Sequence, residues 1–346
     1  MKLTFAIPTW NRSNELKITV YSIAEQIART GFPAQILISD NCSDDRTPQI
    51  IEELKAKWPF IQSVKTDKHG GYSDNFRHVL QAVDTEWCWL FGDDDLLMPK
   101  ALDIAWEHIA SDKYDFICAC TDVRATGGNN KSGTLFQLCN DYGFLDTIGF
   151  MSSCIFKAAP VKEATFDQSW DVYALSSFVH SCAFLERLGD KQAIILDWPM
   201  IGNQESWSEQ TGERWASENI FWRYAALDDA LRHLWYKGCL PELLKTNFLR
   251  YHTFAFSDKM LVALMMEHHQ NHQSVSENMW SHISGLADLL ADKTAAKALR
   301  MQVDDAKRWV EAHRAAVQAF VSVDEQVRKH VDQQGVFTMQ YALTSP

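Results

Sequence analysis

The sequence predicts an α/β fold, a mostly parallel sheet with helices on both faces, followed by a C-terminal helical region. Over the first 120 residues, short apolar runs alternate with amphipathic stretches of helical period, an order typical of strand–helix–strand units. The apolar runs are nearly continuous, as in strands that are buried on both faces. From about residue 215 the strand pattern stops, and long amphipathic segments continue to the end of the sequence.

The first predicted strand covers residues 3–7, and a helix follows over 13–30, which we expect to start at a Ser13 cap and end at Gly31. The other predicted strands cover 34–40, 61–67, 86–93, 115–122, 152–161 and 193–199. The other predicted helices cover 48–58, 74–84, 101–111 and 170–189. The Gly- and Asn-rich start of 121–150 predicts an excursion from the sheet. Right-handed crossovers between such strands bring their carboxyl ends to one edge, where ligands of open sheets bind.

Composition excludes several classes of protein. A formal net charge of −12 argues against a nucleic-acid partner, because phosphate binding needs clustered Lys and Arg. The eight cysteines include no Cys-x-x-Cys pair and no cluster at zinc spacing, so we expect reduced thiols in the cytoplasm. The apolar runs are too short to predict a spanning helix, and the first residues do not read as an export signal.

Three adjacent carboxylates, Asp93, Asp94 and Asp95, follow the aromatic-rich fourth strand. Their mutual repulsion beside a buried sheet is costly unless a cation compensates it. Carboxylate oxygens suit Mg²⁺ or Mn²⁺, which typically complete their coordination with substrate phosphates. The alternative is a solvated acidic turn, or a helix cap that uses one aspartate.

Asp40 ends the second predicted strand and could hold a nucleotide base. Its carboxylate can accept from N3–H of uracil, the amine of cytosine, or the N1–H and N2–H pair of guanine. The alternative is a turn-forming aspartate. Thr9 at the end of the first strand would line the same crevice, and the Gly70–Gly71 pair would allow close approach to a ligand.

Together these motifs resemble the nucleotide-sugar-binding half of family 2 glycosyltransferases. The motifs are I-P-T-W-N-R, L-I-S-D-N-C-S-D-D-R-T, H-G-G-Y-S-D-N and W-L-F-G-D-D-D-L-L-M-P, in this order. The acidic motif is most similar to the abequosyl- and rhamnosyltransferase-like branch of bacterial surface polysaccharide synthesis. The resemblance implies the Rossmann-like GT-A fold and a divalent ion, Mn²⁺ or Mg²⁺. It also implies nucleotide-sugar contacts at Pro8, Thr9, Trp10, Asn11, Arg12, Asp40, Gly71, Asp74 and Asp93, and metal ligands at Asp94 and then Asp95.

One departure from the family pattern concerns the general base. Inverting members carry a Glu-Asp pair before a helix that ends in Arg-Leu, and alignment on Arg187–Leu188 places His180–Ser181 at that pair. A neutral imidazole can accept a proton from a hydroxyl, so His180 is the preferred base, and a core or capping histidine on the same helix is the alternative reading. Asp171, nine residues earlier, is the alternative.

The resemblance predicts a GT-A domain over 1–214, with 1–120 binding the nucleotide sugar and 121–214 on the acceptor side, and a helical subdomain over 215–346. It implies metal-dependent, inverting transfer of a sugar from a nucleoside-diphosphate sugar to a saccharide or lipid-linked saccharide acceptor, in the synthesis of O-antigen, capsule or lipopolysaccharide. Non-catalytic nucleotide-sugar binding is the alternative, and a sugar-nucleotide pyrophosphorylase is a further one.

Two features outside the matched motifs complete the expectations. Trp207 and Arg214 lie in a polar stretch that would either close over the donor as a lid or form a flexible connection. The apolar stripes of the helical region suit helix packing and a homodimer. Peripheral contact with the inner face of the cytoplasmic membrane, beside a lipid-linked acceptor, is the less favoured alternative because it needs more assumptions.

Overall fold

The structure, a computed structural model, describes residues 1–121, 125–176, 178–204, 227, 230–240 and scattered residues between 293 and 308. The chain divides into two compact units, Met1–Ser206 and Trp207–Pro346. Most of the predicted helical subdomain, and with it the proposed dimer and membrane contacts, lies outside the described residues. The domain bounds at 120, 214 and 215 therefore stay predictions.

The first unit alternates strands and helices from β1 to β4, and the later elements follow a less regular order. Its strands are β1 (Leu3–Thr9), β2 (Ala34–Asp40), β3 (Ile61–Lys65), β4 (Trp87–Leu90), β5 (Asp95–Leu97), β6 (Phe116–Thr121), β7 (Lys131–Thr134), β8 (Cys154–Lys157) and β9 (Gln192–Asn203). Its helices are α1 (Ser13–Thr30), α2 (Thr47–Lys57), α3 (Tyr72–Ala82), α4 (Ala101–Ser111), α5 (Leu135–Tyr142), α6 (Phe144–Ile148), α7 (Ala158–Ala164), α8 (Ser169–Ala174) and α9 (Val179–Leu188). A short 3₁₀ turn, Met151–Ser153, precedes β8.

The strands form one sheet in the order β3-β2-β1-β4-β8-β6-β9-β5, with β7 paired to β9. The strands from β3 to β4 are parallel, and β8 then pairs antiparallel with both β4 and β6. The chain moves outward from β1 to β3 and then returns to the other side of β1 as β4. Strand order therefore reverses between β1 and β4, the position at which open α/β sheets have their ligand crevice, at the carboxyl ends of the strands.

The core explains why the N-terminal strands read as continuous apolar runs. Every residue of β1, β2 and β4 is buried, because helices cover both faces of the sheet. Phe5 stacks on Trp89 with ring centroids 4.9 Å apart, and both side chains are fully buried. This packing gives the polar residues that follow the strands a rigid base.

The structure differs from the predicted elements at several places. Only Cys154–Lys157 of the predicted strand 152–161 is extended; Ala158–Ala164 is helical, and Pro160 is tolerated there because it lies in the first turn. The predicted helix 170–189 is interrupted, since α8 ends at Ala174 and α9 begins at Val179. Ser13 is the first residue of α1 rather than its cap, and the Asp45 carboxylate accepts from its N–H at 3.3 Å.

Among the described residues, we find no helix with the length and apolarity needed to cross a membrane.

Candidate active site at the carboxyl edge of the sheet

The loops that follow β1 and β2 are joined by hydrogen bonds. Asn11, with a left-handed φ of 52°, donates its N–H to Ser43 Oγ at 2.9 Å, and its side-chain Nδ2 donates to Asp44 Oδ1 at 2.6 Å. Arg12 N–H donates to Thr47 Oγ1 at 3.1 Å. These contacts hold the β1–α1 loop in a defined position above the sheet edge.

The three aspartates, here called the acid corner, lie directly across the crevice from that loop. Thr9 Oγ1 donates to Asp93 Oδ2 at 2.7 Å, so the ends of β1 and β4 are linked. Arg12 Nη1 lies 3.1 Å from Asp93 Oδ1 and 2.5 Å from Asp94 Oδ2. The sequence-predicted residues Thr9, Arg12, Asp93 and Asp94 therefore meet at one place.

A second set of contacts, from the 3₁₀ turn and from α1, supports the acid corner. Ser152 Oγ donates to Asp95 Oδ2 and accepts from Gly92 N–H at 2.8 Å. Thr19 Oγ1 on α1 contacts the backbone carbonyls of Asp93 and Asp95 at 2.9 and 2.7 Å. The acid corner is thus built on three separate elements rather than on a free loop.

The three carboxylates differ in exposure. The side chain of Asp94 is 28% exposed, whereas Asp93 and Asp95 are buried. Burial raises the pKa of Asp93 to about 7, an effect that Arg12 and Thr9 oppose. Burial and the neighbouring charge of Asp94 raise the pKa of Asp95 to about 7. Asp94 is consequently the carboxylate best placed to meet a ligand.

The carboxylate oxygens of the acid corner are suitable ligands for a hard divalent ion, although the three side chains do not surround a common point. Within the described part of the chain, no three His, Cys, Asp or Glu side chains are arranged to hold a metal. Mg²⁺ and Mn²⁺ commonly use one or two carboxylates plus substrate phosphates and water, so a three-carboxylate cage is not required. Asp94 supplies an exposed carboxylate, and Asp95 a second one beside it.

Asp40 is buried at the end of β2, and its Oδ1 accepts from Ser43 N–H at 2.9 Å. This bond uses only one of the two carboxylate oxygens. Next to it, Asn41 Oδ1 accepts from Gly70 N–H at 3.0 Å, and Asn41 Nδ2 donates to Gly70 O at 2.8 Å. The β2 and β3 loops therefore meet at Asp40, where the predicted base would lie.

The remaining predicted nucleotide contacts have structural partners of their own. Trp10 stacks on His69 with ring centroids 4.2 Å apart and an interplanar angle of 28°. Gly71 is the N-cap of α3, and Asp74 Oδ2 accepts from its N–H at 3.2 Å. Pro8 is buried in β1 opposite Ser39. Asp74 acts here as a helix-capping residue, and the predicted ligand role of each of these residues stays a prediction.

His180 lies in the interior of the unit, only 2% exposed. Its Nε2 is 3.1 Å from Gly149 O, and its ring lies between Phe76 and Phe184, with centroid distances of 5.6 and 6.0 Å. Its Nδ1 has no hydrogen-bond partner, and burial lowers the pKa of His180 to about 4. This burial argues against the predicted role as general base, because an acceptor hydroxyl does not reach the ring.

Asp171, the alternative base, is accessible, with a side chain 75% exposed. Its Oδ1 pairs with Arg77 Nη2 at 2.7 Å. Arg77 lies five residues after Tyr72, the first residue of α3. A second contact also joins α8 to the first turns of α3, because Ser73 Oγ donates to Ala174 O at 3.0 Å. The predicted lid residues Trp207 and Arg214 lie outside the described residues.

Several residues that shape the site were not predicted as site residues. Ser152 supports Asp95, His69 stacks on Trp10, and Thr19 holds the corner backbone. Asn75 donates from Nδ2 to the carbonyls of Thr9 and Ser39 at 3.2 and 3.1 Å. His69 and Asn75 lie within the H-G-G-Y-S-D-N motif but were not singled out there, and no local motif marks Thr19 or Ser152.

Comparison with known proteins agrees with this architecture. The family model described as Glycosyl transferase family 2 matches residues 4–159. Abequosyltransferase RfbV of Salmonella typhimurium is 30% identical over 128 residues, which are 37% of this chain and 37% of that protein. The uncharacterized protein Rv1520 of Mycobacterium tuberculosis is 32% identical over 88 residues, 25% of each chain. The chain thus matches these relatives over less than half of their length.

Two solved structures share the fold at low identity. S. aureus TarS 1–349 in complex with UDP-GlcNAc has a TM-score of 0.59 at 15% identity, covering 97% of this chain and 93% of that one. Mannosyltransferase PcManGT from Pyrobaculum calidifontis, in complex with GDP-Man and Mn²⁺, has a TM-score of 0.52 at 14% identity, covering 91% of this chain and 87% of that one. The predicted α/β fold of the GT-A class is confirmed. The predicted resemblance to family 2 glycosyltransferases is thereby confirmed for residues 4–159.

Proposed function

We propose that the chain is a metal-dependent, inverting glycosyltransferase that moves a sugar from a nucleoside-diphosphate sugar to an acceptor hydroxyl. The observation that carries the proposal is the junction of Thr9, Arg12, Asp93 and Asp94 in the crevice between β1 and β4. Such a crevice, at a reversal of strand order, is where open α/β sheets bind nucleotides. The acceptor is proposed to be a saccharide or lipid-linked saccharide of bacterial surface polysaccharide, a role supported by the match to an abequosyltransferase.

Each residue of the crevice is proposed to serve the donor in a distinct way. The carboxylate of Asp40 accepts a hydrogen bond from the base, and the ring of Trp10 offers a face on which the base can stack. The guanidinium of Arg12 binds the diphosphate, for which its planar set of donors is suited. Asp94, supported by Asp95, would hold Mn²⁺ or Mg²⁺, and the bound ion would supply positive charge to the departing nucleoside diphosphate.

The base that activates the acceptor is proposed to be Asp171. Of the two predicted candidates, it is the one that solvent reaches, and its contact with Arg77 engages only Oδ1. Direct displacement by the activated hydroxyl would invert the anomeric centre. Asp171→Asn should lower the turnover number at least about a hundredfold while leaving donor affinity unchanged. Arg77→Gln is the matched control, since it removes the partner and leaves the carboxylate.

Non-catalytic nucleotide-sugar binding remains the second candidate function, because the predicted base His180 is buried. The test is release of nucleoside diphosphate from a panel of UDP-, CDP-, GDP- and dTDP-sugars with Mn²⁺ and saccharide acceptors. Acceptor-dependent release that is lost in Asp94→Ala supports the transferase. Tight donor binding without release, with any acceptor tried, supports the binding module and contradicts the transferase.

A further inference from the structure

We propose that Arg12 is the resident counter-cation of the acid corner, and that a divalent ion binds there only by displacing its guanidinium from Asp94. The inference rests on the proposed function in one respect, the use of an ion at Asp94. It adds a role for Arg12 that precedes contact with the diphosphate. A single nitrogen, Nη1, contacts both Asp93 Oδ1 at 3.1 Å and Asp94 Oδ2 at 2.5 Å.

The position of Arg12 is fixed by its backbone. Its own N–H donates to Thr47 Oγ1 at 3.1 Å, and the preceding Asn11 is held in a left-handed conformation by Ser43. The following Ser13 N–H contacts Asp45 Oδ2 at 3.3 Å. Three consecutive residues are therefore anchored to the β2–α2 loop and the start of α2. This framework fixes the backbone from which the side chain extends, and the contacts with Asp93 and Asp94 hold the guanidinium at the corner.

The ion pair is partly shielded from water. The side chains of Arg12, Asp93 and Asp94 are 22%, 11% and 28% exposed. Charge pairs in such surroundings are screened less than pairs at the surface, so the guanidinium offsets the repulsion among the three carboxylates. An ion at Asp94 would compete with the guanidinium for this carboxylate and would lie within a few ångströms of it. Two cations at that distance repel, so binding of the ion favours release of the guanidinium from Asp94.

The consequence is a coupling between ion and donor. When the ion binds without a nucleotide, the contact between Arg12 and Asp94 is lost and the guanidinium gains no other anionic partner. When a diphosphate is present, the released guanidinium gains a new anionic partner, and arginine forms strong paired hydrogen bonds with such groups. Arg12 therefore makes the corner select the ion together with the diphosphate over the free ion.

The test is calorimetric titration of the full chain with MnCl₂ in the absence of nucleotide. Arg12→Gln removes the competing charge and should bind Mn²⁺ about tenfold more tightly than the wild type, as expected for loss of a partly shielded charge pair. Arg12→Lys keeps the positive charge and should show little of this gain. Arg29→Gln is the matched control, because Arg29 lies in the last turn of α1, at the far end of the helix that Arg12 precedes, and pairs with Asp103 instead of the acid corner. Its Mn²⁺ affinity should equal that of the wild type.

Circular dichroism checks that each variant is folded, and Arg12→Met repeats the test if Arg12→Gln is not. Equal or weaker Mn²⁺ binding by the neutral variant overturns the inference, even if the protein proves to be a transferase. Absence of Mn²⁺ binding in every variant, with and without nucleoside diphosphate, instead overturns the metal part of the proposed function and the inference with it. Tighter binding in the neutral variant supports the inference independently of any measured activity.

Discussion

Single residues in the crevice are constrained by more than one partner. Thr9 and Asp93 link two strand ends, and Arg12 shares one nitrogen between two carboxylates. Removing one partner of such a contact leaves the other polar group buried without a hydrogen bond. Substitutions at these positions should therefore have large effects on stability or ligand binding. At Asp40, where the protein uses only one carboxylate oxygen, a substitution can change ligand binding with little effect on stability.

Asp40→Asn should weaken binding of the matching nucleoside diphosphate by about tenfold or more, because the amide presents N–H groups where the base donates. The asparagine can still accept from Ser43 N–H, so the fold should be little affected. Calorimetry with UDP, CDP, GDP and dTDP measures the effect, and the exposed Asp103→Asn serves as control. An unchanged dissociation constant for every nucleotide would place the base elsewhere.

The buried His180 should make the free energy of unfolding decrease as the pH falls. Its pKa is lowered to about 4 in the folded state, mainly by burial, against an ordinary value near 6.5. The unfolded chain therefore binds more protons as pH falls below 6.5, and the stabilisation is lost progressively down to about pH 4. At pH 5 the loss should be about 2 kcal/mol relative to pH 7.

Urea unfolding of wild type and His180→Gln at pH 7 and pH 5 measures this contribution. The variant should be less stable at pH 7, but it should lose less stability between the two pH values. Parallel pH dependence in the two proteins would show that the ring is solvated or already protonated in the folded state.

At the scale of elements, the 3₁₀ turn Met151–Ser153 and the residues just before it connect the acid corner with α9. Ser152 contacts Asp95 and Gly92, and its carbonyl accepts from Trp89 Nε1 at 2.8 Å. Just before this turn, Gly149 O meets His180, and Ser181 Oγ donates to Ile148 O at 2.9 Å. The N-terminus of α9 thus packs against the segment that supports Asp95.

Ser152→Ala should destabilise the protein by about 1–3 kcal/mol, because it leaves Gly92 N–H without a buried partner. It should also weaken Mn²⁺ binding in the presence of nucleoside diphosphate, since Asp95 loses the hydroxyl that orients it. Thermal unfolding and calorimetry measure the two effects. The matched control is Ser153→Ala, a buried neighbour outside this network. Identical behaviour of the two variants would reduce Ser152 to a packing role.

At the scale of the whole molecule, the net charge of −12 disfavours an anionic donor unless positive charge is concentrated locally. Arg12 supplies one such charge, and a divalent ion would supply two more. Mn²⁺ with the correct nucleoside diphosphate should therefore raise the melting temperature by a few degrees, about the shift expected when both exceed their dissociation constants a hundredfold.

A thermal-shift screen with and without EDTA measures this effect. Chelation should remove the shift, and Asp94→Ala should show none with any nucleotide. A full shift in EDTA would mean that the nucleotide binds without an ion, and the acid corner would then need another explanation.

The sequence by itself determined the strand–helix order from β1 to β6, apart from the short β5, and the polar positions at the strand ends. Continuous apolar runs need burial on both faces, and turn residues mark where each strand stops. Local pattern was therefore enough to place Asp40 at the end of β2, and Asp93 and Asp94 just after β4. It also sufficed for the resemblance confirmed over residues 4–159.

Tertiary structure decided which of these residues meet, and which do not. Helical periodicity does not reveal the break between Ala174 and Val179, nor that His180 turns into the core. The support of Asp95 by Ser152 and the pairing of Arg12 with Asp94 join residues far apart in the chain. Such contacts depend on how the sheet brings distant loops together, and no local pattern of residues encodes that distance.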